Sequence, residues 1–410
     1  MVCGRDQGEC RGHRPPRVIV TVLVLTLFGV IRETAAEDLW YNQPRISVGT
    51  FYNDNIGLNT SNVESSAGVE GTASIRAGRR TETTDLSLAG AVRARNYVDA
   101  SNYNATDFLF NAYSAYQRDQ DRFGLDGTFD YLSTLESEVS TTGNLAPDNR
   151  QLRWSIAPSW SRPLTERADI EVQARYVDSS YQKTTTGLQD YWNLGGWVLG
   201  TYQWSEITQA TARLTYDHYE YRNIENQSDT LGLSGGVRHQ FTETLSGLAE
   251  LGARYSQSEW SNQLGSFDGS SVGPLANLQL DWRRETGTVS AQAGRWLTPS
   301  GDGLLDTTRL LIDATERLSE RWSIRGGVQA YRNRGDEQGL GYSTYRGRDY
   351  AAATLGFTYR LTPDWRLDGT YRFAWQEYDG ADEAATQNAV YLNVSYIWPR
   401  ELPPIYTSRP

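Results

Sequence analysis

Asp217 and His218 stand side by side, and a carboxylate next to an imidazole is the arrangement from which a general base is built. Such a base activates a serine or a water in an acyl hydrolase. Beyond residue 36 the only histidines are His218 and His239, and no serine-containing motif flanks either. The neighbouring residues argue against a dyad. Ala210, Ala212, Leu214 and Tyr216 alternate with Gln209, Thr211, Arg213, Thr215 and Asp217, a period of two that makes this stretch a β-strand. Adjacent strand residues point to opposite faces, so Asp217 and His218 cannot pair directly. The chain is expected not to be an enzyme and to carry no catalytic group, cofactor or metal. The oxygen-rich run Phe51-Tyr52-Asn53-Asp54-Asn55-Ile56 offers ligands to a hard cation, but turn formation explains it with fewer assumptions.

The same alternation distributes charge along the whole chain. In one stretch Ile170, Val172, Ala174 and Tyr176 oppose Asp169, Glu171, Gln173 and Arg175; in another, Trp365, Leu367, Tyr371, Phe373 and Trp375 oppose Arg366, Asp368, Thr370, Arg372 and Gln376. The polar faces collect both signs: Arg93, Arg95, Asp126, Asp169, Glu171, Arg175, Arg213, Asp217, Arg238, Glu250, Arg254, Arg309, Asp313, Arg325, Arg366, Asp368 and Arg372, with Arg76, Asp130, Arg153 and Asp281 beside them. Charges of this kind either pair with one another in a hydrated wall or set the field inside a pore.

The elements that would position them follow a short-then-long rhythm. Short turns are expected at 79–84, 119–121, 162–167, 205–206, 242–244, 283–286, 318–321 and 361–364, several built as an aromatic or Leu followed by Ser or Thr and an acid or Pro. Longer polar connections are expected at 57–65, 98–104, 134–149, 178–188, 223–229, 256–271, 298–305, 333–348 and 380–386. Eight turns and nine loops predict about 18 strands, with 16 as the alternative, in an all-β, antiparallel up-and-down transmembrane barrel with both termini in the periplasm. A soluble sandwich would share the alternation. The N-terminus supplies some of the deciding evidence: Arg5, Arg11, Arg14 and Arg17 precede an apolar run from Val18 to Val30 and a small-residue site at Thr34-Ala35-Ala36, which reads as a secretory signal peptide over 1–36. Trp192, Trp204, Trp260, Trp282, Trp322, Trp365, Trp375 and Trp398 fall near strand ends, as in an aromatic girdle at a membrane interface. The barrel is expected over 37–398, and the Pro-rich segment 399–410 as a periplasmic tail.

Removing 1–36 takes the formal charge from -11 to -13 and leaves no cysteine, so disulfides and thiolate metal sites are excluded beyond that segment. An acidic chain with scattered Arg is not expected to bind nucleic acid. Lys183 is the only lysine.

About 18 strands enclose an aqueous lumen, whereas eight are filled by their own side chains. The 134–149 loop follows the fifth strand, from where it can fold inward and set Glu136, Glu138 and Asp148 against wall arginines. Ser47-Val48-Gly49-Thr50-Phe51-Tyr52-Asn53-Asp54-Asn55-Ile56, the Gly369-Thr370-Tyr371-Arg372-Phe373 strand and the ending Tyr391-Leu392-Asn393-Val394-Ser395-Tyr396 resemble the outer-membrane β-barrel porins associated with exopolysaccharide and exosortase gene clusters. The resemblance implies a role in surface-polysaccharide secretion, with periplasmic secretion components as partners, and it carries over no catalytic residues. The expected function is an outer-membrane channel, either an exopolysaccharide conduit or a diffusion pore for small hydrophilic solutes. The alternative is a structural or adhesive barrel with a plugged lumen.

Overall fold

The computed structural model describes residues 39–398 except 140, 146, 184–186, 224–225, 263–264 and 336–346. The expected signal peptide and the Pro-rich tail lie outside the described residues, as does much of the expected 333–348 loop.

The strands are β1 (Leu39–Asn53), β2 (Ser66–Arg80), β3 (Thr84–Tyr97), β4 (Ala105–Arg118), β5 (Asp121–Ser133), β6 (Arg150–Pro163), β7 (Ala168–Tyr181), β8 (Tyr191–Ser205) and β9 (Thr208–Tyr221). They continue with β10 (Asn226–Gln240), β11 (Leu245–Asn262), β12 (Gly265–Arg283), β13 (Gly287–Ser300), β14 (Gly303–Arg317), β15 (Trp322–Gly335), β16 (Arg348–Arg360), β17 (Trp365–Tyr378) and β18 (Ala385–Ile397). Each pairs antiparallel with its sequence neighbours, and β1 also pairs with β18, with Arg45 opposite Ile397 and Asn53 opposite Ala389. The 18-stranded sheet thus closes on itself and has no free edge pair at the chain ends, which excludes both the 16-strand count and a sandwich.

Side-chain alternation assigns the two surfaces. Ile46 and Val48 on β1, Val69 and Ile75 on β2, Phe110 and Tyr116 on β4, and Val390, Leu392 and Val394 on β18 are exposed and share the outer face. A solvent-facing surface this apolar is what a bilayer requires, and a closed barrel is the only sheet that crosses one with its backbone paired. No helix among the described residues is long and apolar enough to cross a membrane. Trp204, Trp282, Trp322, Trp365 and Trp398 are exposed at the short-turn end, forming one interfacial row.

All eight expected short turns fall between strands. Two of the expected long loops are replaced by paired strand, and a third is shortened. Residues 256–271 are almost wholly strand, and 298–305 narrow to a tight turn between Ser300 and Gly303. Their polarity reflects water beyond the apolar belt, not a lack of pairing: Ser258 donates to Ser228 at 2.9 Å and Thr230 meets Ser256 at 3.0 Å, a hydroxyl ladder across β10 and β11. Residues 223–229 are likewise mostly strand, since β10 starts at Asn226.

Candidate functional site

The paired registers turn every expected lumen residue inward. Arg93 and Arg95 share the inner face of β3 with Asp126 on β5; Asp169, Glu171 and Arg175 share that of β7, and Arg213 and Asp217 that of β9. Arg238, Glu250 and Arg254 lie on β10 and β11; Arg309 and Asp313 on β14, Arg325 on β15, and Arg366, Asp368 and Arg372 on β17. Several are paired within the wall: Arg45 with Asp368 at 3.2 Å, Arg93 with Asp107 at 3.2 Å, Arg95 with Glu70 at 3.1 Å and Arg213 with Glu250 at 3.7 Å. Arg213 also covers the Trp197 ring at 4.9 Å, and Arg309 covers Trp296 at 4.8 Å.

The 134–149 loop opens with one helical turn, α1 (Thr134–Ser137), and then reaches across the barrel. Its Thr141 carbonyl accepts from Asn333 Nδ2 at 2.7 Å, its Val139 carbonyl from Arg348 Nη1 at 2.7 Å, and its Gly143 carbonyl from the Tyr378 hydroxyl at 3.1 Å. These partners stand on β15, β16 and β17, separated from β5 in the ring by β4, β3, β2, β1 and β18. The loop is therefore a strap over the lumen. Val139 and Leu145 pack with Leu58, from the 54–65 connection, against Tyr331 and Tyr350, while Leu135 packs with Phe51, Ile56, Tyr97 and Tyr103. Apolar contacts at both ends of the strap hold it where its backbone bonds alone would compete with water.

The three acids of the strap behave differently. Glu136 meets Arg95 at 2.8 Å and Arg93 at 3.2 Å. Loss of solvent raises its carboxyl, but the two guanidiniums outweigh this and hold it below the ordinary carboxylate range. Glu138, expected to oppose a wall arginine, is instead bound by hydroxyls: Tyr181 at 2.6 Å, Thr141 at 2.6 Å and Thr142 at 2.7 Å. Asp148 sits exposed in the return to β6 with φ +58°. The helical turn explains the split, because it presents Glu136 and Glu138 in different directions.

A second element covers the interior from the other side. Past Arg295, the tip formed by the ends of β13 and β14 leaves the wall and docks on tyrosines of β7, β8 and β9. The Tyr219 hydroxyl donates to the Ser300 carbonyl at 2.8 Å, Gln189 donates to Gly301 at 2.8 Å, and Leu297 and Leu304 pack among Tyr181, Tyr191, Tyr219 and Tyr221. At the turn, burial and the nearby Glu138 raise the Asp302 carboxyl to about 6. Beneath this tip lies a cavity of about 460 Å³ whose polar lining includes Arg213, Glu250, Arg254, Asn277, Gln292 and Arg309.

Four features escaped the sequence pattern: Asp107 and Glu70 as wall partners, and Arg348 and Tyr350 as the seat of the strap. Arg348 is wholly buried, with its guanidinium 4.8 Å over the Tyr350 ring. No local signal in the sequence separates it from other strand-end arginines. The oxygens of 53–55 are committed to the backbone: Asn53 Oδ1 accepts from Asn55 N at 2.9 Å, Asn55 Oδ1 from Asn59 N at 2.9 Å, and Asp54 Oδ1 from Asn388 N at 2.7 Å. His218 faces outward and meets Asp229 at 3.0 Å, away from inward-facing Asp217.

A closed barrel with an apolar belt, an interfacial tryptophan row and a charged interior defines a bacterial outer-membrane β-barrel. No protein-family model and no curated protein sequence matches the chain. Among solved structures, it is similar to the outer membrane protein opdK from Pseudomonas aeruginosa (9% identity, TM-score 0.44, covering 87% of this chain and 99% of that one). It is also similar to OccAB3 from Acinetobacter baumannii (13%, TM-score 0.40, 87% and 99%) and to the ferric-catecholate import receptor Fiu from E. coli K12 (8%, TM-score 0.41, 86% and 81%).

Proposed function

We propose that the protein is a diffusion channel for small hydrophilic solutes, constricted by the strap over 134–149. The observation that carries the reading is the strap itself, tied at one end to β5 and β6 and at the other to β15, β16 and β17, with Glu136 set against Arg93 and Arg95. Opposed charges at a narrowing select solutes by charge and dipole without binding them tightly. The remaining inward residues, from Arg175 and Arg213 to Arg325 and Arg372, act as the polar lining along which a solute exchanges its water. Single-channel conductance of the refolded chain tests this. A steady conductance that rises when residues 138–145 are deleted supports it, and a silent bilayer with both forms overturns it.

Export of exopolysaccharide through the same barrel is the second reading, supported by the family resemblance. It requires the strap to leave the lumen, because a polymer needs a wider, continuous bore. Normal surface polysaccharide after gene deletion would overturn that reading and leave the diffusion channel untouched. A structural or adhesive barrel predicts no conductance in either form.

A further inference from the structure

Tyr181 is shared by the two elements that cover the interior. It is the last residue of β7, opposite Gln151 of β6, and it is 6% exposed. Its hydroxyl serves the strap, accepting from Gln151 Nε2 at 2.8 Å and donating to Glu138 Oε1 at 2.6 Å. Its ring serves the tip. A Cβ on Gly301, in the turn between β13 and β14, would lie 2.8 Å from Tyr181 Cε2 and from its hydroxyl oxygen, so the Gly301 backbone rests against the ring. Leu304 of β14 belongs to the same buried cluster.

Neither contact is easily given up. Glu138 is 1% exposed, and its donors are uncharged: Tyr181 and Gln151 from the wall on Oε1, Thr141 and Thr142 from the strap itself on Oε2. A buried carboxylate held by neutral donors depends on each of them, because a lone pair left unfilled there has already lost its water. The tip is equally committed. Its Ser300 and Gly301 carbonyls accept from the Tyr219 hydroxyl and the Gln189 backbone, both at 2.8 Å, which keeps the turn pressed on the Tyr181 ring.

Ring and hydroxyl form one planar group and cannot be placed independently. A shift of the turn moves the ring and draws the hydroxyl off Glu138. Loss of Glu138 frees the ring, and the turn loses the surface on which it sits.

We infer that the strap and the β13–β14 tip open and close together, coupled through Tyr181. Such coupling is reciprocal, each element shifting the other by the same factor. It rests on the channel reading only for its effect on flux: the strap and the tip cover the lumen from different sides, so concerted movement gives one closed and one open level with none between.

Beyond residue 36 the chain has no cysteine, so a single introduced thiol reports the tip. Ser300, 1% exposed, is the position. In refolded Ser300→Cys protein in vesicles, adding Glu138→Ala is expected to raise maleimide labelling about five-fold, a modest coupling. Without coupling the same substitution would only relieve the charge facing Asp302, and labelling would hold or fall. In a Tyr181→Phe background, which keeps the ring and removes the hydroxyl, adding Glu138→Ala should leave labelling unchanged. The reverse experiment uses Gly301→Ala, which displaces the ring and should speed proteolysis within 134–149 about five-fold, and not in Tyr181→Phe. Heat-modifiable electrophoretic mobility reports whether each variant is a folded barrel. If Glu138→Ala is not, Tyr181→Phe alone supplies the comparison: coupling raises both labelling and strap cleavage, whereas independent elements give cleavage alone. Unchanged or lower labelling in Glu138→Ala, or an equal rise in both backgrounds, overturns the coupling. Neither readout needs conductance, so a silent bilayer overturns the channel reading while the coupling stands or falls on the labelling.

Discussion

Glu136 Oε1 lies 2.8 Å from Arg95 Nη1 while Glu136 Oε2 lies 3.2 Å from Arg93 Nη2, so one strap carboxylate bridges two arginines that sit on the same face of β3. Each arginine has a second acid of its own, Glu70 for Arg95 and Asp107 for Arg93. With Arg150 also 3.6 Å from Asp107, the wall here holds three guanidiniums to two carboxylates, and the strap's Glu136 supplies the third.

Replacing Glu136 by Gln removes the bridging charge and keeps the size. Because the side chain is about a third exposed, the loss is expected to be on the order of 1 kcal/mol, a loosening of the strap without barrel unfolding. Conductance should rise about two-fold and selectivity should shift toward anions, as Arg93 and Arg95 gain net field. Reversal potentials across a salt gradient measure the shift; no change in either quantity would place the narrowing elsewhere.

Gly143 has φ +71°, and a Cβ there would stand 2.4 Å from Arg348 Nε. Gly143→Ala is therefore expected to push the strap off its seat at a cost of about 1–2 kcal/mol. Faster proteolysis within 134–149, with the barrel's heat-modifiable mobility intact, is the readout.

Asp302 supplies the pH dependence. Its carboxyl, raised to about 6 by burial and by Glu138, is costly to ionise when the β13–β14 tip is docked. The undocked carboxyl titrates near 3.9, so docking gains as pH falls through about 6 and is complete below about 4. The complete gain is on the order of 3 kcal/mol, about half of it reached by pH 5. Conductance should fall between pH 7.5 and pH 5, and Asp302→Asn should give the low-pH conductance at both.

The two faces of one strand pair test the membrane placement. Val48 of β1 faces outward at 63% exposure, and Thr72 of β2 lies on the inner face of the barrel. Val48→Arg is expected to destabilise the inserted barrel by about 2–4 kcal/mol, and Thr72→Arg by much less. Urea titration in lipid vesicles distinguishes them; equal effects would contradict the assignment of faces.

Strand count, turn positions and the inward direction of the 17 wall residues were legible because all three follow from a period of two and from turn chemistry, which are local. The loops at 256–271 and 298–305 were misread because serine and glycine there mark water above the belt, which a paired strand also meets. The strap was legible as a place but not as an anchorage. Nothing near Glu138 indicates that Tyr181 will claim it, and nothing near Arg348 indicates that a loop over 200 residues earlier in the chain will cover it. Such contacts depend on closure of the ring, which brings β16 opposite β5.

The strap is packed apolarly toward β1 through β4 and again toward β15 through β18, while the cavity of about 460 Å³ lies against β8 through β14. The passage is consequently eccentric. In the proposed channel a solute that passes the narrowing at Glu136, Arg93 and Arg95 then meets Arg213, Arg254 and Arg309 on the opposite half of the wall and not an average over the ring.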